Sequence, residues 1–172
     1  MVAESDVTLK DGRTATIRVL NPEDREELVR FYGALSPEVL KWALPPYDRA
    51  RVGRFFGDPE QLTGMVAEAD GKIIGHLHIF RYASRMDHLG ELIIYLSQDF
   101  LSVGLGTAMM KSALLLAKEK GLHRVQLSVI AGNENAVRLY EKVGFRMEGV
   151  RTDAYRAEDG RYHDALEMGI VV

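Results

Sequence analysis

The feature that most constrains this chain is a short apolar run, a pair of glycines and a helical pattern, in that order, over residues 92–120. Residues 92–96 have the length and apolar character of a buried strand, and a helical periodicity follows Gly104-Leu105-Gly106. Glycines between a strand and a helix let the backbone approach an anion, toward which the free amides of the first helical turn point. The segment therefore predicts a phosphate-binding loop in an α/β fold, for a nucleotide, a phosphosugar or a pyrophosphate group.

Composition sets the class of protein around this feature. With 172 residues, 47% of them hydrophobic and 27% charged, we expect one globular domain over residues 1–172. A net charge of −3 gives no general reason to expect nucleic acid or an anionic membrane as a partner. The lack of cysteine excludes disulfides, thiolate metal sites and a cysteine nucleophile. The polar N-terminus has no signal-peptide core and no apolar run approaches about 20 residues, so we expect a cytoplasmic location.

Turn signals and periodicity predict a mixed α/β sheet and argue against a doubly wound parallel fold. Asn21-Pro22 and Ser36-Pro37 are typical helix starts, and Asp70-Gly71 is a strong hairpin signal. The predicted strands are 14–20 (paired with 7–9 across Asp11-Gly12), 63–69, 73–81, 90–96, 124–130, 145–151 and 162–172, and predicted helical segments start near 22, 37, 49, 105 and 133.

A second motif lies about thirty residues after the glycines, at 133–145, and reads NENAVRLYEKVGF. Together the two segments resemble the signatures of the GNAT superfamily of acyl-CoA-dependent N-acetyltransferases. Those signatures are a (Gln/Arg)-x-x-Gly-x-Gly loop followed by Asn-x-x-Ala-x-x-Leu-Tyr-Glu-Lys-x-Gly-Phe. The chain departs from the pattern at Leu101, where the family usually has Gln or Arg, so a phosphate contact at that position has to come from the main chain.

The resemblance implies a GNAT-like α/β (α+β) fold, with a mixed, mostly antiparallel twisted sheet of about seven strands flanked by helices. It also implies acetyl-CoA as co-substrate, with its pyrophosphate on the glycine loop and its pantetheine arm lying beside the strand that ends at Leu96. The implied cofactor-binding residues are Leu96, Val103, Gly104, Leu105, Gly106, Thr107, Asn133 and Tyr140. The alternative role of the two glycines is to let the helix pack closely on the sheet.

The same resemblance implies that Tyr140 protonates the departing CoA thiolate. Tyr140 follows Asn133 by seven residues, so both lie on one helix face. The alternatives are that Asn133 caps the helix and that Tyr140 is a packed aromatic residue.

The acceptor amine also has to lose a proton. A free lysine amine has a pKa of about 10.4, so presenting it neutral at pH 7 costs about 4–5 kcal/mol, part of which a carboxylate base can offset. Glu91 stands thirteen residues before Gly104, a spacing at which several protein lysine acetyltransferases of this superfamily place a catalytic glutamate. Strand alternation puts Glu91 on one face with Ile93 and Tyr95 unless a bulge shifts the parity. Glu148 is the reserve candidate.

Two further groups of side chains fit either a functional or a structural role. Aromatic residues near the paired prolines are candidates for the acceptor pocket or, alternatively, core residues: Trp42, Tyr47, Phe55 and Phe56. His76 and His78 share a strand face, but no third ligand has metal-binding spacing, so we expect no metal site and surface or half-buried imidazoles.

The resemblance implies direct acetyl transfer to a primary amine in a ternary complex. Residues 20–40 also look like the N-terminal helices of Pat-type protein lysine acetyltransferases, so a protein lysine or N-terminal amine is the first expected acceptor. A small amine, such as a polyamine, an antibiotic or an amino acid, is the second.

Other classes remain open. Leu101 favours a non-catalytic acyl-CoA sensor, whereas Glu91 and Tyr140 argue against one. A nucleotide or nucleic-acid binder would need a basic or aromatic surface, which the sequence does not indicate. We expect no nucleic-acid or membrane partner, and a monomer or homodimer.

Overall fold

The computed structural model describes residues 4–172, with Leu62 described by its backbone alone. The strands are β1 (Ser5–Thr8), β2 (Thr14–Val19), β3 (Leu62–Ala69), β4 (Lys72–Arg81), β5 (Leu89–Leu96), β6 (Arg124–Ile130), β7 (Arg146–Arg156) and β8 (Tyr162–Val171). The α-helices are α1 (Arg25–Gly33), α2 (Pro37–Leu40), α3 (Arg49–Gly53), α4 (Leu105–Glu119) and α5 (Glu134–Lys142).

All eight strands belong to one mixed sheet with the order β1-β2-β3-β4-β5-β6-β8-β7. Every neighbouring pair is antiparallel except β5 and β6, which are parallel. The mixed, mostly antiparallel architecture is therefore confirmed, with eight strands in place of about seven because the short β1 pairs fully with β2.

Local signals account for most element boundaries. Asp70 and Gly71 both have positive φ, at 50° and 71°, as a two-residue hairpin turn requires. The helix predicted at Pro22 begins as a 3₁₀ turn before α1, and the backbone amide of Asn21 donates to Asp24 at 2.8 Å. The last hairpin is longer than predicted, since β7 continues to Arg156 through two register shifts.

Helices cover the sheet from both sides. On one side α4 and α5 pack on a core that includes the fully buried Leu105 and Met109. On the other side α1 and α3 contribute Leu28, Phe31 and Val52 to a second core. Among the described residues, no helix combines the length and apolar character needed to cross a membrane.

Strand β5 alternates between these two cores. Leu92, Ile94 and Leu96 pack toward α4, whereas Ile93 and Tyr95 pack toward α1 and α3. The β4–β5 register runs without a shift from Gly75–Leu96 to Arg81–Gly90, so no bulge alters the parity of this strand. Glu91 therefore shares the face of Ile93 and Tyr95, as the alternation predicts.

The sheet divides between β5 and β6. Their parallel pairing covers three residue pairs and ends at Glu91 with Gln126. Beyond that point β5 continues along β4 to Leu96, and β6 continues along β8 to Ile130. The two strands thus form a fork, and the space between its arms is where the site lies.

Candidate active site

A cleft of about 810 Å³ opens between the arms of the fork. Its walls are residues 92–96 of β5, residues 128–130 of β6, the start of α4 and one face of α5. Glu91, Trp42 and Tyr155 also line it. The fork, the glycine loop and the second motif therefore meet in one cavity.

The glycine loop forms one end of the cleft. Gly104 is the N-cap of α4 and has φ +94°, a left-handed conformation that favours glycine. Gly104, Gly106 and Thr107 line the cavity. Ala108 is the first helical amide with an acceptor, bonding Gly104 O at 3.2 Å, so the amides of the preceding turn have no intrahelical partner. This is the geometry expected of a phosphate cradle.

Three residues of the loop also serve the fold. The Leu105 side chain is fully buried, and Val103 packs against the core while its carbonyl accepts from the Lys10 amide at 3.0 Å. A Cβ on Gly106 would lie 2.9 Å from Leu139 Cδ2, so Gly106 is needed for close packing. Val103 and Leu105 can therefore offer a ligand only their main chain, and Gly106 has a packing role as well.

Cationic side chains line the cleft, whereas this chain has a leucine at the Gln or Arg position of the motif. Leu101 lines the cleft and is 46% exposed, and it has no polar atom beyond its main chain. Lys10, Arg138 and Lys142 line the same cavity. Lys10 comes from the turn after β1, far away in sequence, so motif spacing contained no signal for it.

The free edge of β5 forms the long wall. Leu96 pairs with Gly75 on β4, while its other edge faces the cleft because β6 has diverged. An extended ligand can add to such an edge as an extra strand. The backbone role expected of Leu96 fits this geometry.

Helix α5 presents the second motif to the opposite wall. Asn133 Oδ1 accepts from the Ala136 amide at 3.3 Å, so Asn133 caps the helix, and it also lines the cleft. Tyr140 lines the cleft with only 9% of its surface exposed. Burial raises the pKa of Tyr140, so the phenol keeps its proton at neutral pH and can donate it.

Glu91 stands at the base of the fork. Its Oε2 accepts from Gln126 Nε2 at 2.9 Å and from Tyr82 Oη at 3.2 Å. Burial raises the pKa of Glu91, which moves it closer to that of a base working at neutral pH. The reserve candidate Glu148 is outside the lining, and its ion pair with Arg124 holds its pKa below the usual range.

The four aromatic candidates divide between cleft and core. Trp42 lines the cleft, and its ring packs over Gly132, where a Cβ would lie 3.6 Å away. Tyr47 contacts a residue of the cleft wall, since its hydroxyl donates to the hydroxyl of Tyr95 at 2.7 Å. Phe55 and Phe56 pack in the core under α1 and α3.

The histidine pair is more buried than expected. His76 and His78 are both fully buried, whereas the sequence suggested surface or half-buried positions. The hydroxyl of Tyr32 bonds His76 Nδ1 at 2.7 Å, and burial lowers the pKa of His78 to about 3. Within residues 4–172 no cluster of three or more potential ligands could hold a metal ion.

Glu91 and Tyr140 reach the cleft from opposite faces of the sheet. Tyr140 belongs to the core under α4, while Glu91 shares the face of Ile93 and Tyr95, which pack toward α1 and α3. Both line the same cavity because the fork opens the sheet between them. The arrangement can place a proton acceptor and a proton donor on either side of a strand-like ligand.

The family model described as acetyltransferase (GNAT) family matches residues 25–145. An uncharacterized N-acetyltransferase of Mycobacterium tuberculosis strain H37Rv is 34% identical over 120 residues, which span 69% of this chain and 75% of that protein. The L-amino acid N-acetyltransferase AaaT of Escherichia coli K12 is 29% identical over 116 residues, 66% of this chain and 71% of AaaT. The crystal structure of the GNAT domain of S. lividans PAT has the same fold, with a TM-score of 0.83 over 98% of this chain and 97% of that one at 22% identity.

Proposed function

This chain belongs to the GNAT acetyltransferase family and is an N-acetyltransferase that uses acetyl-CoA, and we propose that it acetylates a protein lysine or N-terminal amine by direct attack, with Glu91 as base and Tyr140 as acid. The observation that carries the proposal is that the glycine loop, the free edge of β5, Tyr140 and Glu91 all line one cleft.

The cradle fits the pyrophosphate of the co-substrate. The amides of Leu105, Gly106 and Thr107 lie at the positive end of the helix dipole, where an anion is stabilised. Lys10 lines the same end and supplies a positive charge in place of the missing Gln or Arg side chain. The edge of β5 at Leu96 and the side chain of Asn133 would hold the pantetheine arm.

The chemistry that acetyl-CoA brings is an activated acetyl thioester, whose C–S bond is exchanged for a C–N bond. Glu91 accepts the proton that the amine loses, directly or through water, because Glu91 lines the cleft and burial raises its pKa. Tyr140 donates a proton to the departing sulfur, because it lines the cleft and its phenol is in the protonated form at neutral pH. Binding both reactants in one cleft also lowers the entropic part of the barrier.

The preference for a protein acceptor rests on the surface beside Glu91. Strand β7 is exposed along most of its length, and Tyr155 on that strand lines the cleft. An extended peptide can lie on such a surface. The relative AaaT is named for L-amino acids, so a free amino acid is the second acceptor class to test.

The first experiment is calorimetry with acetyl-CoA and with free CoA on the wild type and on Gly104→Trp. We expect binding in the wild type and its loss in the variant, because a bulky side chain would fill the cradle. Gly121→Trp is the matched control, since Gly121 also has positive φ but lies at the other end of α4 with open space around it. Trp42 is the single tryptophan and lines the cleft, so wild-type fluorescence should report the same binding.

The second experiment identifies the acceptor by thiol release from acetyl-CoA. The chain has no cysteine, so the enzyme itself contributes no thiol background. Lysine peptides, peptides with free N-termini, L-amino acids and spermidine are compared, with Glu91→Gln as the control for catalysis. Turnover with peptides supports the proposal, turnover only with amino acids or spermidine replaces the acceptor class, and binding without turnover on any of them contradicts the catalytic assignment.

A further inference from the structure

The base of the fork carries a hydrogen-bond arrangement that the two motifs do not include. Tyr82 Oη and Gln126 Nε2 both donate to the same carboxylate oxygen, Oε2 of Glu91, at 3.2 and 2.9 Å. The other oxygen, Oε1, accepts from neither of them. The carboxylate is therefore held through one oxygen while the residue lines the cleft.

Both donors are fixed by backbone pairing. Gln126 is the last residue of β6 that pairs with β5, opposite Glu91, and it pairs with Gly169 of β8 on its other side. Tyr82 follows β4 directly, and its amide donates to Leu89 O at 3.0 Å. The backbones of both donors are therefore fixed beside Glu91, at the strand ends that define the fork.

We propose that Tyr82 and Gln126 are positioning residues that hold Glu91 by Oε2 and leave Oε1 to receive the proton of the acceptor amine. This inference rests on the proposed function, in which Glu91 is the base. Within the part of the chain that the structure describes, no basic side chain hydrogen-bonds Glu91, so the two neutral donors set its orientation.

The two donors also oppose the effect of burial on Glu91. Burial raises the pKa of Glu91, whereas the bonds from Gln126 and Tyr82 lower it. Two charged groups from the neighbouring strands act in opposite directions: Glu167 of β8 raises this pKa and Arg151 of β7 lowers it. Arg151 is itself bonded to Glu167 at 2.7 Å, and the bonds from Gln126 and Tyr82 favour the ionised form of Glu91 more strongly than Arg151 does.

The donors themselves remain competent at neutral pH. Burial, followed by the charge of Glu91, raises the pKa of Tyr82, so its hydroxyl stays protonated and donating. The side-chain amide of Gln126 does not titrate. Both side chains therefore remain hydrogen-bond donors over the pH range in which Glu91 changes its charge.

The test is a direct titration of Glu91 by carbon-13 NMR on the full chain labelled at the glutamate carboxyl carbons. The Glu91 resonance is assigned as the one missing from Glu91→Gln. Tyr82→Phe and Gln126→Leu should each move its midpoint to higher pH, because each removes a donor that favours the ionised form. Tyr162→Phe is the matched control, since Tyr162 is 60% exposed and should leave the midpoint unchanged.

Different outcomes test the positioning role of Tyr82 and Gln126 and the role of Glu91 as base. A Glu91 midpoint that does not move in either variant overturns the positioning inference, whatever the turnover. Full turnover of Glu91→Gln in the acceptor screen overturns the base assignment instead. Tyr82→Phe removes one oxygen from a residue that is 36% exposed, so a folded variant is expected, and acetyl-CoA calorimetry checks that its cleft is intact.

Discussion

Gly106→Ala tests whether the second glycine of the cradle is required for packing. An added Cβ would lie 2.9 Å from Leu139 Cδ2 and 3.3 Å from Leu96 Cδ1, both closer than ordinary van der Waals contact. Gly106 lies in a regular part of α4, so the substitution creates no strain in φ. The expected effect therefore comes from crowding between α4, α5 and β5.

The size of the effect follows from two opposing contributions. Overpacking by one carbon in a close-packed core costs about 1–3 kcal/mol. Replacing glycine by alanine in a helix returns up to about 1 kcal/mol. Leu139 is half-buried and its terminal carbon can shift, so the crowding is expected in the lower half of that range. We expect a net loss of about 1 kcal/mol, which in a chain of this size lowers Tm by about 2–4 °C.

Thermal and urea unfolding followed by circular dichroism measure this change. Gly33→Ala is the control, because Gly33 ends α1 with nothing within 4 Å of its added Cβ. That variant should gain about 0.5–1 kcal/mol. A Gly106→Ala variant as stable as Gly33→Ala would refute the packing argument, and Gly106 would then be explained by ligand approach alone.

Two further predictions concern buried titratable groups. Tyr140→Phe removes only the phenol oxygen, so kcat should fall by about 10²-fold with acetyl-CoA affinity unchanged in calorimetry; an unchanged kcat would exclude Tyr140 as the acid. Burial lowers the pKa of His78 from 6.5 to about 3 in the folded protein. The unfolded chain therefore binds the extra proton between these values, and the free energy of unfolding should fall as pH drops from 6.5 toward 3. His78→Leu should show a shallower decline in urea unfolding at pH 7, 6 and 5, and an identical decline in both proteins would contradict the assignment.

Several features of the fold were accessible from sequence because their causes are local. The hairpin at Asp70-Gly71 requires two residues with positive φ, and the helix start at Asn133 requires a side chain that caps its third amide. The parity of Glu91 followed from strand alternation, since β5 has no bulge. The burial of His76 and His78 was missed because their strand is covered on that side by aromatic residues from distant helices, including Phe55 and Tyr32.

The sequence by itself therefore determined the family, the order of the elements and the glycine loop that precedes α4, since motif spacing, caps and turn residues are encoded within short segments. Only the tertiary structure decided that Glu91 and Tyr140, from opposite faces of the sheet, open onto one cleft. The reason is the end of β5–β6 pairing at Gln126, which depends on strands held by different neighbours. The same long-range packing brings Lys10 to the glycine loop and Gln126 to the carboxylate, contacts that no local pattern specifies.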